Sequence, residues 1–239
     1  VKANSNLAVL NILSKLGSGF DIVSIGELER VIAAGGDPKK CVFSGVAKTE
    51  HSIHKALEYG IYCFNVESSA ELERIESIAS TLNMKAPISI RVNPNVDAKT
   101  HPYISTGLTE NKFGIDADSA LALYEKANLS ANLEVFGLDY HIGSQITDIS
   151  PFLEALDKAL ELIIRLKEEQ IFLNHIDIGG GVGVTYDKEA TISINDYIQS
   201  VIQKAGDLKI LVEPGRSIVG NAGIFVTKVE YLKQNELKS

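Results

Sequence analysis

A carboxylate and a guanidinium lie close together in the stretch LVEPGRSIVG, residues 211–220. An apolar run leads to Glu213, and a Pro-Gly turn then presents Arg216. Proline fixes one backbone angle, and glycine accepts angles that other residues avoid. The acid and the arginine are therefore held at the mouth of a strand, where barrel enzymes place their chemistry. Lys2, in VKAN, is an ordinary solvated cation if exposed. A desolvated lysine instead loses its proton easily and can form an imine with a carbonyl. The triplet Gly179-Gly180-Gly181 follows HIDI. It reads either as a tight turn or as a place where backbone N–H groups approach an anion.

His141 closes GLDYHIGSQ. Residues two apart on a strand share a face, so Asp139 and His141 point the same way. A strand histidine is commonly a packed core residue. At a strand end followed by Gly143 and Ser144 it can also stack on a flat ring, with Ser144 bonding a phosphate. Asp21 and Arg91 lie on apolar runs. Such residues are seldom buried unpaired, so inward-facing copies would bond each other, a ligand or a neighbour. His51 and His54 are spaced to chelate on a helix, but no third ligand is nearby and HSIHKAL fits an exposed face, so no metal is expected.

The elements that must position these groups alternate. Short β-rich runs occupy residues 1–3, 20–24, 42–45, 62–66, 88–93, 135–142, 175–179 and 210–213. Helical patterns lie between them, at 6–16, 25–34, 49–59, 68–82, 117–126, 151–169 and 194–205. In the sixth of these the apolar stripe reads Leu153, Leu156, Leu160, Ile163, Ile164 and Leu166. Eight strands alternating with helices predict an α/β fold, a (β/α)8 TIM-type barrel. A doubly wound sheet would place its glycine loop after the first strand; here the glycines follow the seventh. The connection 94–114 lacks helical periodicity and leaves the strand end where a barrel site would be, which marks it as functional. Residues 224–231 alternate apolar and polar, like a strand outside the barrel.

The chain of 239 residues carries a formal net charge of −8 and 45% hydrophobic residues. That is enough apolar material for one large core, and the acidic balance argues against a nucleic-acid partner. No apolar run is long enough to span a membrane. Cys41 and Cys63 have no paired spacing, which predicts reduced thiols and a cytoplasmic location.

The order VKAN, FDIVSIGEL, RVNP, HPYISTG with NKFGI, HIGSQ, the glycine triplet and EPGR resembles the alanine-racemase-like barrel domain of the fold-type III pyridoxal-phosphate decarboxylases. The resemblance covers essentially the whole chain. HPYISTG and NKFGI point within that family to the diaminopimelate decarboxylases over the ornithine and arginine enzymes. It implies pyridoxal 5'-phosphate as cofactor, Lys2 as the Schiff-base lysine and His141 stacked on the ring. It implies Ser144, Gly180, Gly181 and the backbone around Gly215 and Arg216 at the phosphate. Glu213 would face the ring nitrogen, Arg216 would also bind a substrate carboxylate, and Asp21 and Arg91 would support. Glu213 favours decarboxylation over racemisation, because related racemases place an arginine there. The implied reaction converts meso-2,6-diaminopimelate to L-lysine.

The resemblance further implies a homodimer with shared sites, completed by a β-rich domain after the barrel. Residues 1–220 would be the cofactor-binding barrel and 221–239 the start of that second domain, which makes the chain read as truncated. The expected proton donor lies in the missing part. Rival readings are a decarboxylase for ornithine, arginine or carboxynorspermidine, a non-enzymatic pyridoxal-phosphate carrier with a single barrel, and a Rossmann-type binder.

Overall fold

The computed structural model describes residues 1–98, 113–188 and 190–233. Seven strands form one sheet in chain order: β1 (Phe20–Ile22), β2 (Cys41–Phe43), β3 (Cys63–Val66), β4 (Ala86–Arg91), β5 (Leu133–Asp139), β6 (His175–Asp177) and β7 (Lys209–Leu211). Every neighbouring pair is parallel. Helix α1 (Leu7–Lys15) precedes β1. Parallel neighbours need crossovers, and six helices supply them: α2 (Ile25–Ala33), α3 (Glu50–Tyr59), α4 (Ser69–Thr81), α5 (Ala117–Asn128), α6 (Ser150–Glu168) and α7 (Ile194–Ala205). A last short helix, α8 (Arg216–Val219), follows β7.

Most of these helices start where a side chain caps them. Asn6, Ser24, Thr49, Ser68, Asp116 and Ser193 each accept a first-turn N–H. On α2 and α4 a glutamate in the first turn also reaches back, to the amide just before the cap: Glu27 to Val23 at 2.7 Å and Glu71 to Glu67 at 2.9 Å. The buried stripe of α6 is Phe152, Ala155, Leu156, Ala159, Leu162, Ile163 and Leu166. It lies one notch from the expected stripe, and Ile164 is exposed. Ala155 and Ala159 are buried within that stripe, a signal that a search for large apolar residues passes over.

Side-chain contacts between strands that are not neighbours show the sheet curling on itself. Cys63 of β3 lies 4.0 Å from His175 of β6. Lys209 of β7 donates to the Tyr62 hydroxyl beside β3 at 3.0 Å. One face of the strands therefore looks into the ring and the other, with Ile22, Phe43, Phe64, Ile88, Ile90, Leu138 and Ile176, packs under the helices. The architecture is the expected α/β barrel.

The predicted first strand, residues 1–3, makes no ladder. Asn4 N–H bonds the Val1 carbonyl at 3.1 Å and pulls the segment into a turn. The segment still lies at the seam of the ring. The Val1 amino group donates to the Asp21 carbonyl of β1 at 2.7 Å. On the other side, a Cβ at Gly215 would stand 3.0 Å from the Ala3 methyl. The strand expected at 135–142 pairs as Leu133–Asp139, and the strand expected at 224–231 does not form: that stretch has no regular structure and exposes Ile224, Phe225, Val226, Val229 and Tyr231. A strand needs a partner for its backbone, and none of the described residues offers one there. HPYISTG and the Asn-Lys of NKFGI fall outside the described residues.

The lower ring interior is filled by size exchange. Gly137 on β5 lacks a side chain where His175 points, and a Cβ there would fall on the imidazole. Gly137→Ala is therefore expected to cost about 1–3 kcal/mol by overpacking. Urea denaturation of Gly137→Ala, His175→Ala and the double variant checks this, the double being less destabilised than the sum of the singles.

Candidate functional site

Three carboxyl groups meet above that layer. Oxygens of Asp139, Asp177 and Glu213, from β5, β6 and the segment after β7, lie within 4.8 Å of one another. Asp139 and Asp177 are buried. Arg91, at the end of β4, reaches the group with its Nε 3.8 Å from Asp139 Oδ2, while its Nη1 is 3.0 Å from Glu67 Oε1. Asp21 of β1 joins the group as well; burial raises its pKa, and the Ser44 side chain opposes the rise. Asp21 does not pair with Arg91, so the two supporting residues of the sequence reading have different partners.

Burial dominates the electrostatics. It pushes the Asp139 and Glu213 carboxyls well above the usual carboxylate range, with the neighbouring acids adding to the rise and Arg91 opposing it. Asp177 is pushed up to about 7, again by burial first, against a hydrogen bond from the Gly179 amide at 3.0 Å. Burial would lower Arg91, but Asp139, Glu67 and Glu213 outweigh it and hold the guanidinium firmly charged. The interior thus keeps protons at neutral pH. Asp21 Oδ1, Asp139 Oδ1, Asp177 Oδ2 and Glu213 Oε1 are buried without a hydrogen-bond partner. Orphaned buried oxygens are costly, and a cation or a protonated ring nitrogen would satisfy the one on Glu213. Three carboxylates also suit a hard metal ion, but Arg91 already brings positive charge to Asp139.

The rim above the acids is built from loops locked to each other. Glu213 N–H donates to the Gly179 carbonyl at 2.8 Å. A Cβ at Gly180 would collide with the Glu213 carbonyl, and one at Gly181 with the Gly143 carbonyl. The glycines therefore serve close backbone approach between three loops, and Gly181, with φ +105°, also needs its left-handed angle. Gln145 clips the loop after β5 to the loop after β6: its Nε2 donates to the Val184 carbonyl at 2.6 Å and its Oε1 accepts the Val184 N–H at 3.1 Å. That clip carries Ser144 to the glycine triplet.

His141 faces this rim. The Gly180 N–H donates to its Nδ1 at 3.2 Å, which places the proton of the neutral ring on Nε2. Burial, then Arg91 and Lys2, lower its pKa to about 3, so the imidazole is neutral. Lys2 is exposed at the seam and is felt by both Asp21 and His141. Gly215 packs on Ala3 and precedes α8, whose opening N–H groups point out of the helix. Arg216 donates from Nη1 to the Tyr186 hydroxyl at 2.6 Å, with its guanidinium 5.8 Å from that ring.

The structure thus gathers Lys2, Asp21, His141, Gly180, Gly181, Glu213 and Gly215 at one mouth, with Ser144 beside the triplet and Arg216 on its edge. Sequence reasoning passed over Asp177, Glu67, Gln145 and Tyr186. The first two carried the same signal that singled out Asp21, a charge inside or just after an apolar strand run. The other two reveal themselves only through contacts. A cavity of about 1070 Å³ lies elsewhere, beside α5 and α6, and meets Glu67 and Gly114 but none of the predicted site residues.

The raised acids have a consequence for stability. Asp177 titrates near 7 folded against 3.8 as its ordinary value. A carboxyl raised on folding contributes stability below the ordinary value and loses it as pH rises through the folded one. In the absence of ligand, stability should fall between about pH 4 and 7. Asp177→Asn should flatten that slope, read as the urea midpoint at each pH.

Residues 1–220 match the family described as "Pyridoxal-dependent decarboxylase, pyridoxal binding domain". Among curated relatives, the diaminopimelate decarboxylase of Pseudomonas aeruginosa is 58% identical over 240 residues, covering 100% of this chain and 58% of that protein. The diaminopimelate decarboxylase of Vibrio cholerae is 56% identical over 242 residues, with the same coverage of 100% and 58%. The chain therefore spans a little under three fifths of the length of these relatives. Among solved structures, diaminopimelate decarboxylase from Helicobacter pylori complexed with L-lysine is 51% identical with a TM-score of 0.89, over 91% of this chain and 56% of that one. The chain belongs to the family of pyridoxal-dependent decarboxylases, through the pyridoxal binding domain that its residues 1–220 match.

Proposed function

We propose that the whole protein decarboxylates meso-2,6-diaminopimelate to L-lysine with pyridoxal 5'-phosphate. The observation that carries this is Glu213 Oε1, a buried oxygen without a partner at the end of the ring. A protonated pyridine nitrogen fits it. The names of the most similar relatives and the lysine in the Helicobacter pylori complex support the substrate and product.

The cofactor, when bound, accepts the electron pair left on the α-carbon as carbon dioxide departs. The chain's own residues prepare for that. Lys2, at the seam, would hold the cofactor through its amino group. Glu213 would pass its proton to the ring nitrogen, and the carboxylate so formed would pair with that N–H and keep the nitrogen protonated. His141 is neutral with its proton on Nε2, so it can lie against a flat ring without repelling a cation. Ser144, Gly180, Gly181 and the backbone of Gly215 and Arg216 converge where a phosphate would sit. Arg216, steadied by Tyr186, offers a fork to a substrate carboxylate. Asp21 and Arg91 stay behind the ring as supports.

Residues 1–220 are read as the barrel and 221–239 as the start of a following β domain. The family match ending at 220 and the bare apolar side chains at 224–232 support that division. The same exposed stretch supports a site completed by further chain, in a homodimer with shared sites. Two buried free cysteines support a reducing, cytoplasmic setting.

The full-length protein with pyridoxal phosphate should show a visible absorption band that Lys2→Ala abolishes; a band that persists in that variant removes Lys2 from its role. Glu213→Gln should lower the rate of carbon dioxide release from meso-2,6-diaminopimelate by roughly 10²-fold, the scale of one lost electrostatic contact at a reacting centre. Product assay for L-lysine, beside ornithine and arginine as substrates, tests the specificity.

A further inference from the structure

The long connection after β4 returns to the barrel at Phe113-Gly114-Ile115, directly over the end of that strand. The Ile115 N–H donates to the Arg91 carbonyl at 2.9 Å, and the Asn93 N–H to the Ile115 carbonyl at 2.8 Å. Gly114 has φ +78°, and a Cβ there would stand 2.9 Å from the Asn93 nitrogen, so the return is tight. One side chain grips both this return and the buried acids. Glu67, just after β3, holds Arg91 Nη1 through Oε1 at 3.0 Å and accepts the Gly114 N–H through Oε2 at 3.3 Å. The Phe113 ring covers the same guanidinium, 5.1 Å from centroid to Cζ. Both side chains are nearly enclosed, with Arg91 11% and Glu67 3% exposed.

Glu67 is itself braced. Its N–H donates to Glu71 Oε2 at 2.9 Å, and Glu71 Oε1 is 2.6 Å from Lys48 Nζ. That buried lysine spends its other donors on the carbonyls of Gly45 and Asn65, each at 2.7 Å. The chain of contacts runs inward from Lys48 through Glu71, Glu67 and Arg91 to Asp139. A glutamate whose two oxygens and own amide are all fixed has little freedom to adapt, which is what positioning demands.

We propose that Glu67 is a positioning residue for the decarboxylation site: it orients Arg91 against Asp139 with one oxygen and registers the return of the long connection with the other. The functional consequence rests on the pyridoxal reading above, but the geometry does not. Glu67→Gln removes the charge but keeps a carbonyl oxygen that can accept from Arg91 Nη1, so Arg91 stays in place and acts more strongly on the acids. The groups facing Asp139 are Asp21, Cys63, Glu67, Arg91, Asp177 and Glu213, with the Tyr124 and Tyr140 phenols beside them. Burial is the largest influence raising Asp139, and Glu67 is among the acids that add to it. Without Glu67 the Asp139 carboxyl should ionise at lower pH.

The test compares Glu67→Gln and Glu67→Asp with the parent as full-length, cofactor-free proteins. The infrared stretch of protonated carboxyl groups gives the Asp139 titration, identified as the component absent in Asp139→Asn. Hydrogen exchange gives the protection of the Gly114 and Ile115 amides. In Glu67→Gln the Asp139 midpoint should fall by about one pH unit, and Gly114 exchange should quicken by about tenfold. Glu67→Asp keeps the charge but not the reach, so Arg91 is no longer held against Asp139: the midpoint should rise above that of the parent, and Gly114 should stay unprotected. A parental midpoint in Glu67→Asp overturns the proposal even if the melting temperature falls, because a glutamate acting by charge alone, or a merely structural one, would give that pattern. If Glu67→Gln does not fold, full Gly114 protection in Glu67→Asp overturns it. Expected shifts in a protein that releases no carbon dioxide from meso-2,6-diaminopimelate would sink the functional reading and leave the role of Glu67 standing.

Discussion

Negative charge shut inside a ring of strands is the constraint on which the rest of this structure depends. Asp21, Asp139, Asp177 and Glu213 converge from four sides, and Arg91 is the cation set among them. Isolated buried carboxylates are too costly to keep ionised, so such groups pair, protonate or take a ligand. This chain uses the first two and leaves room for the third. Arg91 takes Asp139, protons stay on the cluster, and Glu213 keeps an oxygen open. Much of the surrounding detail serves to hold that arrangement still. The caps fix helix entries, the loop glycines bring carbonyls into contact, and Gln145 joins two loops.

The division between the two strand faces explains why the fold was legible in the sequence. Outward residues such as Phe43, Phe64, Ile88 and Ile176 are apolar and form the core under the helices. They produced the alternation of short β-rich runs with helical patterns, and hence the barrel. The inward face is mixed, with Ser44, Asn65, Ser89, Asp139, His175 and Asp177 all buried. Propensity says little about such positions. Asp21 and Arg91 were noticed as charges inside apolar runs, while Asp177 and Glu67, placed in the same way, were passed over. Their partners come from distant parts of the chain, and spacing along a sequence does not reveal contacts across a ring.

Local errors have local causes. The sequence reads residues 1–3 as a first strand, yet a single bond to β1 and a turn bond from Asn4 leave no ladder. The segment keeps its place beside β1 without the strand conformation. On α6 the stripe was drawn through the large side chains, whereas the buried line runs through Ala155 and Ala159. The rim residues Glu213, Gly180, Gly181 and His141 stand out in the sequence by residue type at strand ends, and then by motif order, rather than by periodicity. Their geometry adds what a motif lacks: which imidazole nitrogen carries the proton, and which carbonyl each glycine clears.

The contact of Ala3 with Gly215 has a consequence for how the protein is made. These residues stand near opposite ends of the matched domain, and the lysine beside Ala3 leaves the ribosome long before the turn that packs on it. Contacts so distant in sequence are slow to close, because the loop entropy must be overcome before they form. During synthesis the seam beside Lys2 therefore stays open until the last strand has emerged and brought Gly215 against Ala3, so the mouth of the ring is the last part of the barrel to be completed.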